Sequence, residues 1–306
     1  MQFLKQTNID FLSKRKYAIT FSILLISVGL ITLIIHGGPD YSIDFLGGTE
    51  IHVHFDEPAP IAEIRKALGE VGFAKAEIKN FGTPNDVLIR IEVQQNNDEA
   101  TSTILNTLSE KFADMNPTML SVESVGPKIG KELRTAAVWA VLFSLALILL
   151  YIWIRFEFVF GVGAIVALFH DVLITLGIFS IFRMEISLSV VAAFLTIVGY
   201  SLNDTIVVFD RIRENLKSMR RENFFSILNT SINQSLSRTV ITSMTTLIVV
   251  FVLYINGGEV LRTFSFALLI GIVVGTYSSI FIATPVVAEW EMRQLQKSGK
   301  TNRRRR

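Results

Sequence analysis

The sequence contains no cysteine, so neither a structural disulfide nor a thiolate metal site can form in its 306 residues. It also lacks the glycine-rich phosphate-binding pattern of nucleotide hydrolases and the Gly-x-Ser-x-Gly turn of serine hydrolases. Charged residues make up only 18% of the chain. These absences argue against an ATPase or a hydrolase, and we expect no enzymatic activity, no bound cofactor or metal, and no nucleic-acid partner.

Hydrophobic residues, in contrast, make up 50% of the chain and give a mean hydropathy of +0.48. That value is too high for a soluble domain of this length and places the chain among membrane proteins. The net charge of +2 conceals an asymmetry, because residues 37–134 contain 16 acidic and 9 basic residues. We therefore expect one acidic, water-soluble domain inserted into a basic membrane protein.

Six apolar runs are each long enough to cross a hydrocarbon core of about 30 Å as a helix. They cover residues 17–35, 136–154, 159–181, 186–209, 239–255 and 264–288. The first run is too long for the core of a cleaved signal peptide and no small-residue cleavage site follows it, so we interpret it as a retained span. In the last run, Gly271 and Gly275 form a small-xxx-small pattern that permits close helix packing.

The distribution of Lys and Arg predicts how these spans are oriented. Together 18 of these residues fall in one set of segments, which are 1–16, 155–158, 210–238 and 289–306. The short loops on the opposite side carry only Arg183 and Arg262. By the positive-inside rule both termini are cytoplasmic, and the domain at 36–135 is periplasmic.

Two cytoplasmic segments have a composition of their own. The segment 210–238 combines several arginines with an apolar stretch that starts at Phe224 and Phe225, which is typical of an interfacial helix lying on the bilayer. The tail at 289–306 ends in Arg303–Arg306, which we interpret as a solvated or lipid-facing charge run.

Residues 36–135 show the pattern of a small α+β domain. Period-two alternation and helical spacing predict strands at 50–55, 76–80, 87–93 and 118–125, with helices at 61–68 and 98–112. The order β-α-β-β-α-β predicts a ferredoxin-like sheet with both helices on one face. Such a domain is a scaffold, and its function does not follow from its fold.

Short polar and glycine residues mark the first strand of this domain. Gly47 and Gly48 stand directly before the strand and allow a tight turn or a close approach of the backbone. His52 and His54 share one face of the strand, but no third ligand accompanies them. We therefore do not expect a metal site here, since a usual site needs more converging ligands.

The most informative polar residue is Asp204, which lies five residues before the end of the apolar run 186–209. An ionised carboxylate inside a membrane is costly, so Asp204 should be protonated, paired or facing a wet cavity, and such acids are functional candidates. Arg238 begins the next span from the same boundary, and its long side chain would reach Asp204. The alternatives are a satisfied packing role for Asp204 and ordinary snorkelling for Arg238.

A second intramembrane acid, Asp171, lies near the middle of the run 159–181 beside His170. Either it partners His170 or a hydroxyl on a neighbouring span, or it relays protons; the sequence leaves both roles open. Hydrogen-bonding capacity along such a polar path would come from Asn203, Ser201 and Thr205. Burial raises the pKa of a carboxyl and a nearby guanidinium lowers it, so a balanced acid can load and release protons across a membrane potential. We therefore expect Asp204 to transduce proton-motive force.

Three stretches closely resemble the SecF members of the SecD/SecF family, which belongs to the resistance-nodulation-division superfamily. They are Ile43–Thr49, Val198–Thr205 together with Phe209–Asn215, and Ser231–Thr239. The first contains Asp44, Gly47, Gly48 and Thr49, and the second contains Gly199. The resemblance extends over nearly the whole chain, including the single exported domain after the first span and the five spans that follow it.

The resemblance implies an inner-membrane complex with SecD that associates with the SecYEG channel, YajC and YidC. In this family proton flow moves the exported domains, which draw an unfolded preprotein outward. The resemblance also implies that Asp204, in the sequence Asn-Asp-Thr, and Arg238, in Ser-Arg-Thr, belong to the proton path.

Two other functions stay open from the sequence. A structural assembly subunit would carry the same spans but tolerate neutralisation of Asp204. Half of a small-molecule exporter of the same superfamily would also fit, although such an exporter usually carries about twice as many spans in one chain.

Overall fold

The computed structural model describes residues 7–92 and 97–303, with side chains described over 7–92, 97–258 and 261–294. The chain divides into two compact units. The first comprises Met1–Asp40, Val141–Glu185 and Ser189–Arg306, and the second comprises Tyr41–Ala140 and Ile186–Leu188. The predicted arginine run at the C-terminal end lies outside the residues whose side chains are described.

The described residues form ten α-helices and four strands. The helices are α1 (Arg15–Ile35), α2 (Ile43–Leu46), α3 (Ile61–Glu70), α4 (Asn97–Lys111), α5 (Pro127–Arg155), α6 (Phe158–Ile181), α7 (Leu188–Ser218), α8 (Phe224–Asn256), α9 (Gly258–Ser278) and α10 (Thr284–Arg303). A π-helical turn, Ser279–Ala283, joins α9 to α10. The strands are β1 (Gly48–His54), β2 (Glu77–Phe81), β3 (Thr83–Ile91) and β4 (Thr118–Val125).

Six segments of the described chain are long and apolar enough to cross a membrane, which is the number that the sequence predicts. They are Leu12–Ile35, Pro127–Arg155, Phe158–Ile181, Leu188–Ser218, Phe224–Asn256 and Leu261–Gln294. Helices of this length can span the apolar layer because all of their backbone hydrogen bonds are made within the segment. The chain is therefore a multi-pass membrane protein.

The predicted separate interfacial helix within 210–238 is wrong. The polar residues of this segment instead extend α7 to Ser218 and begin α8 at Phe224, with a short turn between them. The segment contains no proline or glycine that would stop either helix. Asn223 sets the start of α8, because its side chain accepts a hydrogen bond from the backbone N–H of Phe225.

The second unit contains an antiparallel sheet in the order β2-β3-β1-β4. In β1, Ile51 stands opposite Ile89 of β3 and Val122 of β4. Strands and helices follow one another in the order β-α-β-β-α-β, as predicted from the sequence. The predicted third strand begins earlier than expected, at Thr83, and its predicted end at Val93 lies outside the described residues.

One face of this sheet forms the core of the second unit. Alternate strand residues such as Ile51, Val53 and Ile89 are fully buried, because every second side chain of a strand points to the same face. They pack with residues of α3 and α4, including Ile64 and Leu108, which are also fully buried. Helices α3 and α4 thus cover the apolar face of the sheet and shield it from water.

The residues around the start of β1 make close contacts within the second unit. Gly47 and Gly48 have φ angles of 76° and 134°, which only glycine adopts without strain. A Cβ atom on Gly48 would lie 2.8 Å from the carbonyl oxygen of Ile91. Asp44 Oδ2 accepts a hydrogen bond of 2.8 Å from the backbone N–H of Leu188, and Thr49 Oγ1 lies 3.0 Å from Ser124 Oγ.

The two histidines of β1 have different surroundings. The ring of His52 lies against Phe81, with centroids 3.9 Å apart. His54 Nδ1 lies 2.6 Å from Asp86 Oδ1, and Thr83 Oγ1 donates to Asp86 Oδ2 at 2.5 Å. In the described part of the chain no three His, Asp or Glu side chains converge as a metal would require.

We expect Gly48→Ala to destabilise the second unit by about 1–3 kcal/mol, because the new methyl group would meet the Ile91 carbonyl and the φ angle would be strained. Amide hydrogen exchange of the full chain in detergent should become faster in β1 and β3. Gly126→Ala is the control, since a Cβ atom there meets nothing within 4 Å. Equal exchange in the two variants would contradict the prediction.

Asp86 should make the stability of the second unit dependent on pH. Burial raises the pKa of Asp86, but the hydrogen bonds from Thr83 and His54 outweigh it and hold that pKa below its ordinary value. The stabilisation is therefore present above the unfolded pKa of about 3.9 and is lost as the pH falls through the lower folded pKa.

The check is hydrogen exchange of β1 and β3 in wild type and Asp86→Asn, corrected for the intrinsic effect of pH on exchange. Asp86→Asn should exchange faster at pH 7, and the difference should shrink below about pH 4. The exposed residue Asp114 provides the control variant Asp114→Asn. A difference between wild type and Asp86→Asn that stays constant with pH would exclude this role of Asp86.

Candidate functional site

Asp204 lies inside the helical unit, where three helices meet. Its side chain is on α7, and the residue is only 2% exposed. Asp204 Oδ2 accepts hydrogen bonds from Ser243 Oγ of α8 at 3.2 Å and from Thr276 Oγ1 of α9 at 3.3 Å. The two hydroxyl oxygens lie 2.7 Å apart. The carboxyl is therefore held by neutral donors from two neighbouring spans, an arrangement that can accommodate either its charged or its protonated form.

Glycines bring α9 close enough to α7 for these contacts. A Cβ atom on Gly275 would lie 3.1 Å from Ser201 Cβ, and one on Gly271 would overlap the side chain of Ile197. The small-xxx-small pattern of the sequence thus marks a close approach of two helices, as it predicts. Without this approach the short hydroxyl side chain of Thr276 would not reach α7.

A second buried carboxyl, Asp171 of α6, lies in the same helical unit. Asp171 is 0% exposed, and its Oδ2 accepts hydrogen bonds from Ser201 Oγ of α7 and from Ser278 Oγ of α9 at 2.5 and 2.7 Å. Its Oδ1 lies 2.8 Å from Nδ1 of the neighbouring His170. His170 Nε2 in turn lies 2.9 Å from Ser22 Oγ of α1. The partners that the sequence predicts for Asp171, His170 and a hydroxyl on a neighbouring span, are therefore both present.

Two helices contribute to both carboxyl sites. Ser201 and Asp204 are three residues apart on α7 and so lie on the same face of that helix. Thr276 and Ser278 are close neighbours on α9, and one contacts Asp204 while the other contacts Asp171. The two sites are thus parts of one polar layer that crosses α6, α7 and α9.

The helix that follows this layer is irregular. The π turn Ser279–Ala283 begins directly after Ser278, and Thr284 Oγ1 donates to the carbonyl oxygen of Ser279 at 2.9 Å. A Cβ atom on Gly163 of α6 would lie 3.0 Å from the carbonyl oxygen of Ala283. Such turns interrupt regular helical hydrogen bonding and are frequent at functional sites.

Arg238 is exposed on α8 and does not contact Asp204 directly. In the part of the chain with described side chains, no hydrogen bond or ion pair joins these two residues. Arg238 instead lines a cleft of about 480 Å³ between α7 and α8. The other lining residues are Asn203, Ile206, Val207, Asp210, Arg211, Glu214, Gln234 and Ser235. The structure therefore brings Arg238 and Asn203 to one polar cleft and leaves Asp204 behind it, on the buried side of α7.

Two residues of the sequence motifs make no specific contact in this unit. A Cβ atom on Gly199 would meet nothing within 4 Å, so packing does not require a glycine there. Thr205 is buried, and its hydroxyl has no hydrogen-bond partner among the described residues.

Apart from Ser201, the hydroxyl residues around the two carboxyls were not predicted from the sequence. Ser243, Thr276, Ser278 and Ser22 lie on helices remote in sequence from Asp204 and Asp171. The only signal in the sequence was the presence of serine and threonine within otherwise apolar runs, which is too common to single out four positions.

Residues 104–293 match the family model described as protein export membrane protein SecD/SecF, C-terminal. The protein translocase subunit SecF of Desulfurispirillum indicum is 46% identical to this chain over 295 residues, covering 94% of this chain and 93% of the relative. The SecF subunit of Rhodothermus marinus is 46% identical over 299 residues and covers 96% of both chains.

Solved structures show the same similarity at the level of the fold. The crystal structure of SecDF, a translocon-associated membrane protein from Thermus thermophilus, superposes with a TM-score of 0.86 and 40% identity. The match covers 95% of this chain but only 40% of that protein. A crystal structure of SecDF in a super-membrane-facing form gives a TM-score of 0.73 and 39% identity, and it covers 98% of this chain and 41% of that protein.

We expect Gly271→Ala to destabilise the helical unit by about 1–3 kcal/mol, because the new methyl group would overlap Ile197 and force α7 and α9 apart. Gly199→Ala should instead be neutral or slightly stabilising, since its methyl group meets nothing and alanine favours the helix. Thermal unfolding of both variants in the same detergent checks this contrast. Equal midpoints would show that the close approach of α7 and α9 does not limit stability.

Proposed function

Because this chain belongs to the SecD/SecF family, as a SecF-type subunit of the Sec protein translocase, we propose that it uses proton-motive force to drive protein export. The observation that carries the proposal is the burial of the Asp204 carboxyl among hydroxyls of α8 and α9. An acid that is kept inside a membrane with neutral partners is free to change its protonation state without breaking an ion pair.

The chemistry of the proposal is the loading and release of one proton at Asp204. As an anion, the carboxylate accepts hydrogen bonds from Ser243 and Thr276. When the proton is on Oδ2, that oxygen donates a hydrogen bond itself, so that at least one of the two hydroxyls turns away or becomes an acceptor. Each protonation thus changes the bonding between α7 and its two neighbours. A proton that crosses the whole membrane gains about 2.3 kcal/mol per 100 mV of membrane potential.

Arg238 and Asn203 are proposed to serve the aqueous end of the proton path. Both line the polar cleft between α7 and α8, and Asn203 directly precedes Asp204 in the chain. A guanidinium at this position lowers the free-energy cost of a negative charge on Asp204. A small movement of α7 against α8 would change the distance between the Arg238 guanidinium and the Asp204 carboxylate. The protonation state of Asp204 would thereby be linked to the arrangement of the helices.

The termini are proposed to be cytoplasmic, with residues 36–135 forming a ferredoxin-like periplasmic domain. The support for this orientation is the excess of Lys and Arg in the segments on the side of the termini. The support for the domain type is the element order together with the strand order β2-β3-β1-β4. The membrane in question is the bacterial inner membrane.

We propose SecD as the direct partner and an unfolded preprotein as the cargo. The support for SecD as partner is the similarity to relatives named protein translocase subunit SecF and to part of the protein named SecDF. Association with the SecYEG channel, YajC and YidC is proposed from the family resemblance alone. No cofactor is needed, since the proton gradient is the energy source.

Two alternatives differ from this proposal in what they require of Asp204. A structural assembly subunit would need the helices but not a titratable acid at this position. Half of a small-molecule exporter would need a substrate route through the membrane. Similarity to translocase subunits along almost the full length of this chain favours the export function over the exporter.

Asp204→Asn should remove the acceleration of export by a proton gradient while leaving the complex with SecD intact, because it keeps the shape of the side chain and abolishes its titration. The measurement is preprotein export into inverted vesicles that contain SecD and either form of this chain. The ratio of rates with and without the gradient should fall to about one in the variant.

The control for this experiment is Glu222→Gln, which neutralises an exposed acid in the turn after α7. Equal amounts of assembled complex must be confirmed in all vesicles. If the gradient accelerates export equally with Asp204→Asn, this chain is a structural assembly subunit, and proton coupling through Asp204 is excluded.

A further inference from the structure

Among the residues whose side chains are described, Asp171 is the one fully buried acid for which the proposed proton path has no role. It is 0% exposed, and its carboxylate contacts three side chains, those of His170, Ser201 and Ser278. Burying a carboxyl completely costs free energy unless hydrogen-bond partners replace the water that it loses. The role of Asp171 therefore depends on what His170, Ser201 and Ser278 do in the structure.

Two of these partners belong to the helices that form the site of Asp204. Ser201 lies one turn before Asp204 on α7, so fixing Ser201 also fixes the rotation of α7 that directs Asp204. Ser278 lies two residues after Thr276 on α9, so fixing Ser278 also fixes the height at which Thr276 meets Asp204. One carboxylate thus holds both elements to α6.

His170, which contacts Asp171, is itself held in place by contacts with α1. His170 Nε2 lies 2.9 Å from Ser22 Oγ of α1, and Tyr277 OH lies 3.1 Å from the same oxygen. Tyr277 OH donates to the carbonyl oxygen of Ala18 at 2.8 Å, and its ring stacks on that of His170 with centroids 6.0 Å apart. Neither side chain of this pair can leave its place without breaking hydrogen bonds to α1.

We propose that Asp171 is a positioning residue for Asp204, which acts by joining α7 and α9 to α6 through Ser201 and Ser278. This positioning is a property of the helical unit and does not depend on what Asp204 does. Its consequence for export does rest on the proposed function. The two roles that the sequence allowed for Asp171 can then be distinguished by experiment. A positioning residue needs only hydrogen bonds at this place, whereas a proton relay needs a titratable group.

Asparagine and alanine distinguish these roles. In Asp171→Asn the amide oxygen can accept from His170, and the amide N–H groups can donate to the hydroxyls of Ser201 and Ser278, which rotate to accept. All three hydrogen bonds are then kept and only the titration is lost. In Asp171→Ala all three are lost. The double variant Ser201→Ala/Ser278→Ala removes the same connections and leaves Asp171 in place.

The first test reads the environment of Asp204 without reference to export. Dicyclohexylcarbodiimide labels protonated carboxyls in apolar surroundings, and the labelling rate of Asp204 can be followed by mass spectrometry of its peptide in the full chain. Asp171→Ala and the double serine variant should change this rate about fivefold or more, the factor that corresponds to one lost hydrogen bond. Asp171→Asn should stay within about twofold of wild type.

Ser265→Ala is the matched control for these variants. Ser265 is a buried serine of α9 like Ser278, but its hydroxyl has no hydrogen-bond partner among the described residues. Its removal should leave the labelling of Asp204 unchanged. Thermal unfolding of every variant shows whether it is folded, and the double serine variant remains informative if Asp171→Ala does not fold.

The second test is gradient-driven export in vesicles with SecD. We expect Asp171→Asn to keep the acceleration by the gradient and the double serine variant to lose at least half of it. The positioning role is overturned if the double serine variant labels like wild type. It is equally overturned if Asp171→Asn abolishes the acceleration without changing the labelling of Asp204, since Asp171 would then carry the proton. Loss of the effect of Asp204→Asn on export would overturn the proposed function and leave the labelling result for Asp171 standing.

Discussion

The helical unit depends on one constraint, which is that a carboxyl buried among apolar helices needs a hydrogen-bond partner on every side from which water is excluded. Asp204 and Asp171 meet this constraint with hydroxyls from neighbouring spans. Because each of these hydroxyls lies on a different helix from the acid that it contacts, satisfying the two acids fixes how four of the spans meet. The apolar side chains around them fill space but do not select this arrangement by themselves.

Small residues allow the helices to approach closely enough for these hydrogen bonds to form. Hydroxyl side chains are short, so they reach a carboxyl on another helix only if the two backbones approach closely, and Gly271 and Gly275 permit this approach between α7 and α9. The π turn after Ser278 ends the regular part of α9 directly behind the polar layer. A change in protonation at Asp204 would therefore alter the hydrogen bond from Thr276 that connects α7 to α9. This bond lies close to the irregular π turn that follows α9.

This chemistry suits a translocase subunit better than an enzyme site. A catalytic acid needs access to a substrate, whereas Asp204 is closed off by its neighbours and is flanked by a polar cleft that contains Arg238 and Asn203. What such a site can do is exchange a proton and change the bonding between helices. The second unit is stabilised differently, because its sheet has one buried face that packs with two helices in an apolar core.

The sequence alone determined the six apolar spans, the order of strands and helices, the two intramembrane acids and the family, because each of these is expressed in local periodicity, length or motif. It was wrong about the segment 210–238, where local amphipathicity suggested a separate helix although no residue breaks α7 or α8. Only the tertiary structure decided that Ser243 and Thr276 contact Asp204, that Ser201 and Ser278 contact Asp171, and that Arg238 faces a cleft. The physical reason is that periodicity fixes which face of a helix is polar, but the helix that this face meets depends on how all the spans pack together.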